Sequence, residues 1–173
     1  ARHGFEFHAV AGIHSTASLA RAANTFHRPA ATPANSPGLL GAFGLVGAAM
    51  ACFHAAAEYS KSRIQFGRPS GGFQLVQERL AEMLTEITKA QLLCIQLGRM
   101  KERGTVKPEQ ISLAKRNNCE IALEIAREAR DVLGASGITA EYPVMRHMCN
   151  LESVKTYEGT HNIHTLVLGE AVT

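Results

Sequence analysis

The sequence contains no tryptophan, and only 6% of its residues are aromatic. It lacks any Cys-x-x-Cys pair. Cys52, Cys94, Cys119 and Cys149 stand far apart, which gives neither a zinc spacing nor a disulfide framework. Scattered thiols of this kind read as buried and reduced, the state of an intracellular protein. Charge is sparse at 19%, and 18 basic residues against 15 acidic ones leave a net +3 dispersed along the chain. With no basic stripe to follow phosphates or an anionic bilayer, this charge is too weak to argue for a membrane surface, and no nucleic acid is expected as a partner. Alternation of β-branched residues is missing, which argues against sheet. The longest apolar run, GLLGAFGLVGAAMACF, reaches 16 residues before His54. A bilayer span needs about 20, so no membrane span is expected.

Acids are nearly absent in one place. Residues 1–37 hold Glu6 alone, beside three arginines, three prolines and half of the eight histidines. Pro29, Pro33 and Pro37 close the stretch in RPAATPANSP, which reads as a linker. Its low acid content loosely resembles an organelle transit peptide. An irregular arm over 1–37 is therefore expected to precede one folded domain over 38–173. A length of 173 residues with 46% hydrophobic content allows one sizeable core.

From Gly38 the signal is helical. Gly38, Gly41, Gly44 and Gly47 recur every three residues and would let another backbone approach. The helix is expected to stop at Phe66-Gly67-Arg68-Pro69. Residues 74–102 place Leu75, Val76, Leu80, Met83, Leu84, Ile87, Leu93 and Leu97 on one face. RGTVKP then breaks the chain, and Pro108 suits a first helical turn. Ile111, Ala114, Ile121, Ala122, Ile125, Ala129, Val132 and Leu133 carry a helix over 108–133. GASGIT is a turn, Pro143 opens a helix to about Thr156, and Thr160 caps a last one. The expected fold is all-α: an antiparallel four-helix bundle with a C-terminal helical extension and no sheet.

Chemistry concentrates in KTYEGTHNIH, residues 155–164. Glu158 and His161 have the Glu-x-x-His spacing of di-iron bundles, but no second such pair exists, and that site needs two. His161 and His164 share a helical face as zinc ligands can, without a third ligand. No metal is therefore expected. A Gly-rich turn at 134–137 is too short to establish a phosphate cradle by itself. Arg63 and Gln74, flanking the Gly-Pro break, would alone be surface residues.

Together these segments resemble the acyl-CoA dehydrogenases. SRIQFGRPSGGFQLVQERLAEM is similar to a family signature, a helix ending in Arg-x-x-Phe-Gly followed by one carrying Gln. DVLGASGITAEYPVMRH resembles the family's Gly-rich turn, and TYEGT its catalytic loop. LAEMLTEIT, QLGRMKERG, LAKRNNCEIALEIAREARD and NLESVKTYEGTHNIHTLVLG bring it nearest to the glutaryl-CoA dehydrogenase branch. The likeness runs unbroken over about residues 38–173.

The resemblance implies an FAD-dependent C-terminal domain. In the family a carboxylate removes the α-proton of an acyl thioester while the β-hydrogen leaves as hydride to flavin N5. The glutaryl branch then decarboxylates to crotonyl-CoA and carbon dioxide. Glu158 matches the base, and an apolar helix junction would raise its pKa toward a useful range. Gly159 would let the backbone near the thioester, and Thr160 would hydrogen-bond the flavin. Arg63 and Gln74 match residues that reach FAD across a subunit interface, where a cation suits pyrophosphate. Asp131, Val132, Leu133, Gly134 and Ala135 match a turn lining a neighbouring subunit's FAD. A homotetramer built as a dimer of dimers follows, as does an electron-transferring flavoprotein as acceptor. The implied compartment is the mitochondrial matrix for a eukaryotic source and the cytoplasm for a bacterial one. Family turns read Gly-Gly where this chain has Gly134-Ala135. The family's N-terminal helical and middle β-domains have no counterpart here, so the chain reads as the C-terminal domain alone. The alternatives are a non-catalytic helical interaction module of the same ancestry and another short-chain acyl-CoA dehydrogenase.

Overall fold

The computed structural model describes residues 36–173. The arm expected over 1–37 lies outside these residues, apart from Ser36 and Pro37, which open the first helix. Five α-helices follow in order: α1 (Ser36–Ser62), α2 (Gln74–Glu102), α3 (Pro108–Leu133), α4 (Val144–Thr156) and α5 (His161–Val172). Apolar side chains at helical spacing drive them together. Leu45, Val46 and Ala49 of α1, Met83, Ile87 and Leu97 of α2, and Ala114, Ala122, Leu123, Ala126 and Leu133 of α3 are almost fully buried. Val144 and Leu151 close the core from α4. Leu75 departs from the expected face: it starts α2 and is exposed.

Cross-helix contacts fix the directions. Asn118 Nδ2 of α3 donates to the Ala42 carbonyl of α1 at 3.1 Å, and Tyr59 Oη lies 3.4 Å from Ser136 Oγ just past α3. The two helices therefore run parallel. The same Asn118 amide meets Cys94 Sγ of α2 at 3.2 Å, while Arg79 near the start of α2 pairs with Asp131 near the end of α3 at 3.8 Å. Thus α2 runs antiparallel to both. Arg127–Glu152 at 3.0 Å and Arg116–Thr165 at 2.9 Å show α4 and α5 following one line down α3, interrupted at residues 157–160. This is the expected antiparallel four-helix bundle, with α5 as its extension.

One expectation fails locally. Residues 64–69 form a small antiparallel hairpin, β1 (Ile64–Gln65) with β2 (Arg68–Pro69), paired Ile64 to Pro69 and Gln65 to Arg68. Its turn residues Phe66 and Gly67 have φ of 50° and 77°, the mirror-image turn that matches strand twist. The chain leaves α1 at Ser62, before the Gly-Pro signal, because the hairpin uses those residues as its turn.

The apolar length of α1 also has a packing cause. Gly41–Ser62 spans 22 residues of mean hydropathy 1.3, long and apolar enough by composition to cross a bilayer, yet half of that window is buried within the bundle. Among the described residues Gly44 and Gly47 have no neighbour within 4 Å of an added Cβ, and Gly41 meets the Glu158 carboxylate. Cys52, Cys94 and Cys119 are buried free thiols, and Cys149 is free and exposed. Burial raises the Cys52 thiol to about 12, which leaves it inert.

Among the described glycines the tightest is Gly137. A Cβ there would stand 2.6 Å from the Arg130 carbonyl oxygen and 3.1 Å from Leu133 Cβ. Gly137→Ala should destabilise the chain by about 1–3 kcal/mol, because the obstruction includes backbone. Gly47→Ala, in open space on a helix, should stabilise it by about 0.5–1 kcal/mol. Denaturant midpoints of the two variants test the contrast, and equal midpoints would contradict the packing described.

Candidate active site

The break between α4 and α5 carries Glu158. Helix α4 ends at Thr156, Tyr157 turns extended, and Glu158 takes a φ of 54°. Only Phe66 and Glu158 among the described non-glycine residues have positive φ. A left-handed non-glycine residue costs about 1–3 kcal/mol and persists when its surroundings impose it. Gly159 follows with φ 96°, and Thr160 then caps α5, its hydroxyl accepting from Ile163 N at 3.4 Å. That leaves the Thr160 O–H free to donate.

Gly159 is required twice. Its φ disfavours a side chain, and a Cβ there would lie 2.9 Å from His164 Nε2. The His164 imidazole thus packs directly against the loop. Burial pushes its pKa below the ordinary range; the Lys115 charge adds to this, and the backbone of Glu158 and Gly159 opposes it. Neither ring nitrogen has an aligned hydrogen-bond partner among the described residues. His161 sits one turn earlier, with Nδ1 3.2 Å from Glu120 Oε2, an ion-pair distance without hydrogen-bond alignment.

Glu158 itself is exposed, with Oε2 3.8 Å from the position of a Cβ on Gly41. The apolar enclosure expected around it is not supplied by the described residues. Beneath the loop lies Lys115 of α3, only 2% exposed, a residue that sequence reasoning missed. Its ammonium is held by the carbonyls of Val154, Tyr157 and Gly159. Desolvation lowers its pKa, while Cys119 and Glu158 oppose that shift.

The remaining expected site residues gather elsewhere. Arg63 is exposed just past α1, and Gln74 is exposed as the first residue of α2. Asp131, paired with Arg79 and Arg130, ends α3 together with half-buried Val132 and buried Leu133. Gly134 has φ 60° and ψ −134°, a glycine conformation, whereas Ala135 is exposed and tolerates its methyl. All of these lie at one end of the bundle, and Glu158, Gly159 and Thr160 lie at the other. From Gly41 to the end of α1 is about 30 Å at the helical rise. No single chain brings the two groups together.

Arg63 makes no ion pair among the described residues, and the Gln74 amide stands beside the N-terminus of α2. An unpaired guanidinium, an amide and a positive helix end fit an anionic diphosphate, and the free Thr160 O–H fits a polar ring edge. The donor set is therefore compatible with FAD. Among the described residues, no group of three or more His, Cys, Asp or Glu side chains could hold a metal ion.

Comparison with known proteins identifies the family. The C-terminal domain of acyl-CoA dehydrogenase matches over residues 39–173. A crystal structure of glutaryl-CoA dehydrogenase from Mycobacterium smegmatis superposes with a TM-score of 0.80 at 56% identity, covering 81% of this chain and 36% of that one. A second glutaryl-CoA dehydrogenase structure from that organism, in complex with FADH2, gives 0.79 at 48% identity over 81% of this chain and 36% of that chain. The short-chain-specific acyl-CoA dehydrogenase of Megasphaera elsdenii is 36% identical over 127 residues, 73% of this chain and 33% of the relative. The chain thus spans about a third of the length of such relatives. FAD is the cofactor of this family, and the chain, through a helical C-terminal domain, belongs to the acyl-CoA dehydrogenases.

Proposed function

We propose that this chain supplies the proton-abstracting half of an FAD-dependent oxidation of an acyl-CoA, with glutaryl-CoA as substrate and Glu158 as base. The observation that carries the reading is the Glu158 backbone. A carboxylate on a left-handed residue, pinned at a helix break and projecting past Gly41, is a group held for use at local energetic cost. Glu158 takes the α-proton onto a carboxylate oxygen. Bound FAD supplies the acceptor for the β-hydride. Thr160 donates its hydroxyl proton to a polar edge beside the reacting carbons, and Gly159 keeps the loop thin where the thioester passes. In the glutaryl substrate, loss of the distal carboxylate as carbon dioxide follows oxidation and gives crotonyl-CoA.

The choice of glutaryl-CoA is supported by the 56% and 48% identities to glutaryl-CoA dehydrogenase structures, against 32% to a butyryl-CoA dehydrogenase structure, whereas a curated glutaryl-CoA dehydrogenase and a short-chain enzyme are equally similar, at 35% and 36%. The separation of Arg63, Gln74 and 131–135 from Glu158 supports an assembly in which one copy's base and another copy's distal end flank the same flavin. A dimer of dimers satisfies this. An electron-transferring flavoprotein then receives the electrons.

Two measurements test the reading in a complete, FAD-loaded protein containing this domain. Glu158→Gln should keep FAD and thioester binding, since the amide is nearly isosteric. It cannot accept the α-proton, so substrate bleaching of the flavin should slow by ~10²–10⁴-fold, roughly 3–5 kcal/mol of barrier. His161→Gln should cost little. Stopped-flow absorbance decides, and normal bleaching by Glu158→Gln overturns the assignment. Turnover of glutaryl-CoA with carbon dioxide release should exceed that of butyryl-CoA. Faster butyryl-CoA oxidation would place the protein in another branch.

A further inference from the structure

Lysine is rarely buried, because its ammonium is strongly hydrated, yet Lys115 is 2% exposed. Its three donors are all used. Nζ donates to the carbonyls of Val154 at 2.9 Å, Tyr157 at 2.8 Å and Gly159 at 2.7 Å. A helix leaves its last carbonyls without intrahelical partners and carries partial negative charge there, so the end of α4 is a natural cation site. The third acceptor lies outside that helix end. Tyr157 and Gly159 flank Glu158 on either side, so a single ammonium clamps the chain immediately before and immediately after the base. The Tyr157 ring centroid is also 5.9 Å from Nζ. Facing this ammonium are Cys119 from α3, Glu158 from the loop and His164 from α5, with Glu120, Lys155 and His161 grouped beside them.

We propose that Lys115 is the positioning residue of the base: it holds Glu158 in its left-handed conformation through the carbonyls on both sides. This rests on Glu158 being the base. Lys115 touches neither reacting carbon, and acts through the loop. The clamp sets where the carboxylate sits, and a misplacement of about 1 Å can cost ~10²-fold in rate.

Lys115→Met and Lys115→Arg in the full-length, FAD-loaded protein test the clamp, with Glu158→Gln as reference. Three quantities are read: amide exchange of residues 156–164, binding of FAD and glutaryl-CoA, and the flavin-bleaching rate with glutaryl-CoA and with butyryl-CoA. Lys115→Met should retain both ligands and speed exchange in 157–161. Its bleaching should slow by ~10–100-fold with either substrate. Lys115→Arg keeps the charge but cannot aim three donors at one point. Its exchange should quicken as well. If the methionine variant does not fold, the arginine variant decides alone, and wild-type exchange and rate in it overturn the clamp. A folded Lys115→Met with wild-type rate and exchange overturns the proposal. Normal bleaching by Glu158→Gln removes instead the base assignment on which it stands.

Discussion

Every other helix packs on α3, and the arrangement depends on what α3 does with its polar residues. Its apolar positions from Ile111 to Leu133 face α1, α2 and α4. Ser112, Lys115 and Asn118 are polar residues buried among them, and the last two tie other elements to the helix. Asn118 ties α1 and α2 together through the Ala42 carbonyl and Cys94 Sγ. Lys115 closes the break in the α4–α5 line. Burying either without partners would cost several kcal/mol. Lys115 is satisfied by carbonyls at a helix end and in a loop, and Asn118 by a carbonyl and a sulfur inside α1 and α2, so each fixes the elements it joins. Surface pairs such as Arg127–Glu152, about half exposed, add little beside this.

The break in that line has an electrostatic logic. Glu158 follows the C-terminus of α4, where the helix dipole disfavours an anion, and precedes the N-terminus of α5, where it favours one. Lys115 bonds the carbonyls on the α4 side and so offsets the unfavourable end. An acid inside a continuous helix would point along a fixed face and share the helix's hydrogen-bond pattern. Placed in a strained two-helix junction, it projects over α1, where Gly41 leaves room.

Much of the bundle is legible in the sequence because its punctuation is strong. Pro108 and Gly134 bracket α3 at its observed ends, and Thr160 caps α5 as its position suggests. The hairpin at 64–69 is not legible. Two-residue strands carry no periodicity, and Phe66 adopts positive φ without being Gly, Asn or Asp. Lys115 is invisible for a different reason. In LAKRNN it reads as one more surface cation, since its partners are backbone carbonyls about 40 residues away that have no letter in the sequence. Glu158 itself was identified by resemblance of TYEGT. Spacing pointed only to metal readings for it, and the left-handed backbone that marks it out is a property of the fold.

The length of the bundle constrains any complete site. Packed helices keep the Glu158 loop and the Arg63–Gln74 end about 30 Å apart, and rotamer changes of a few ångströms do not close that distance. Each end exposes polar groups suited to a ligand but encloses none. In the proposed assembly a flavin contacted by both kinds of end would draw them from different copies, and each copy would serve two flavins. Such sharing would make assembly part of site formation: a substitution at Arg63 would act on a flavin beside another chain's Glu158. Mixed assemblies carrying Arg63→Ala in one chain and Glu158→Gln in the other should then retain intact sites, in the fraction where both wild-type halves meet. Random mixing of two equally abundant chains, each defective at one end, would restore bleaching to part of the sites. If both groups served the same flavin within one chain, mixing would restore none.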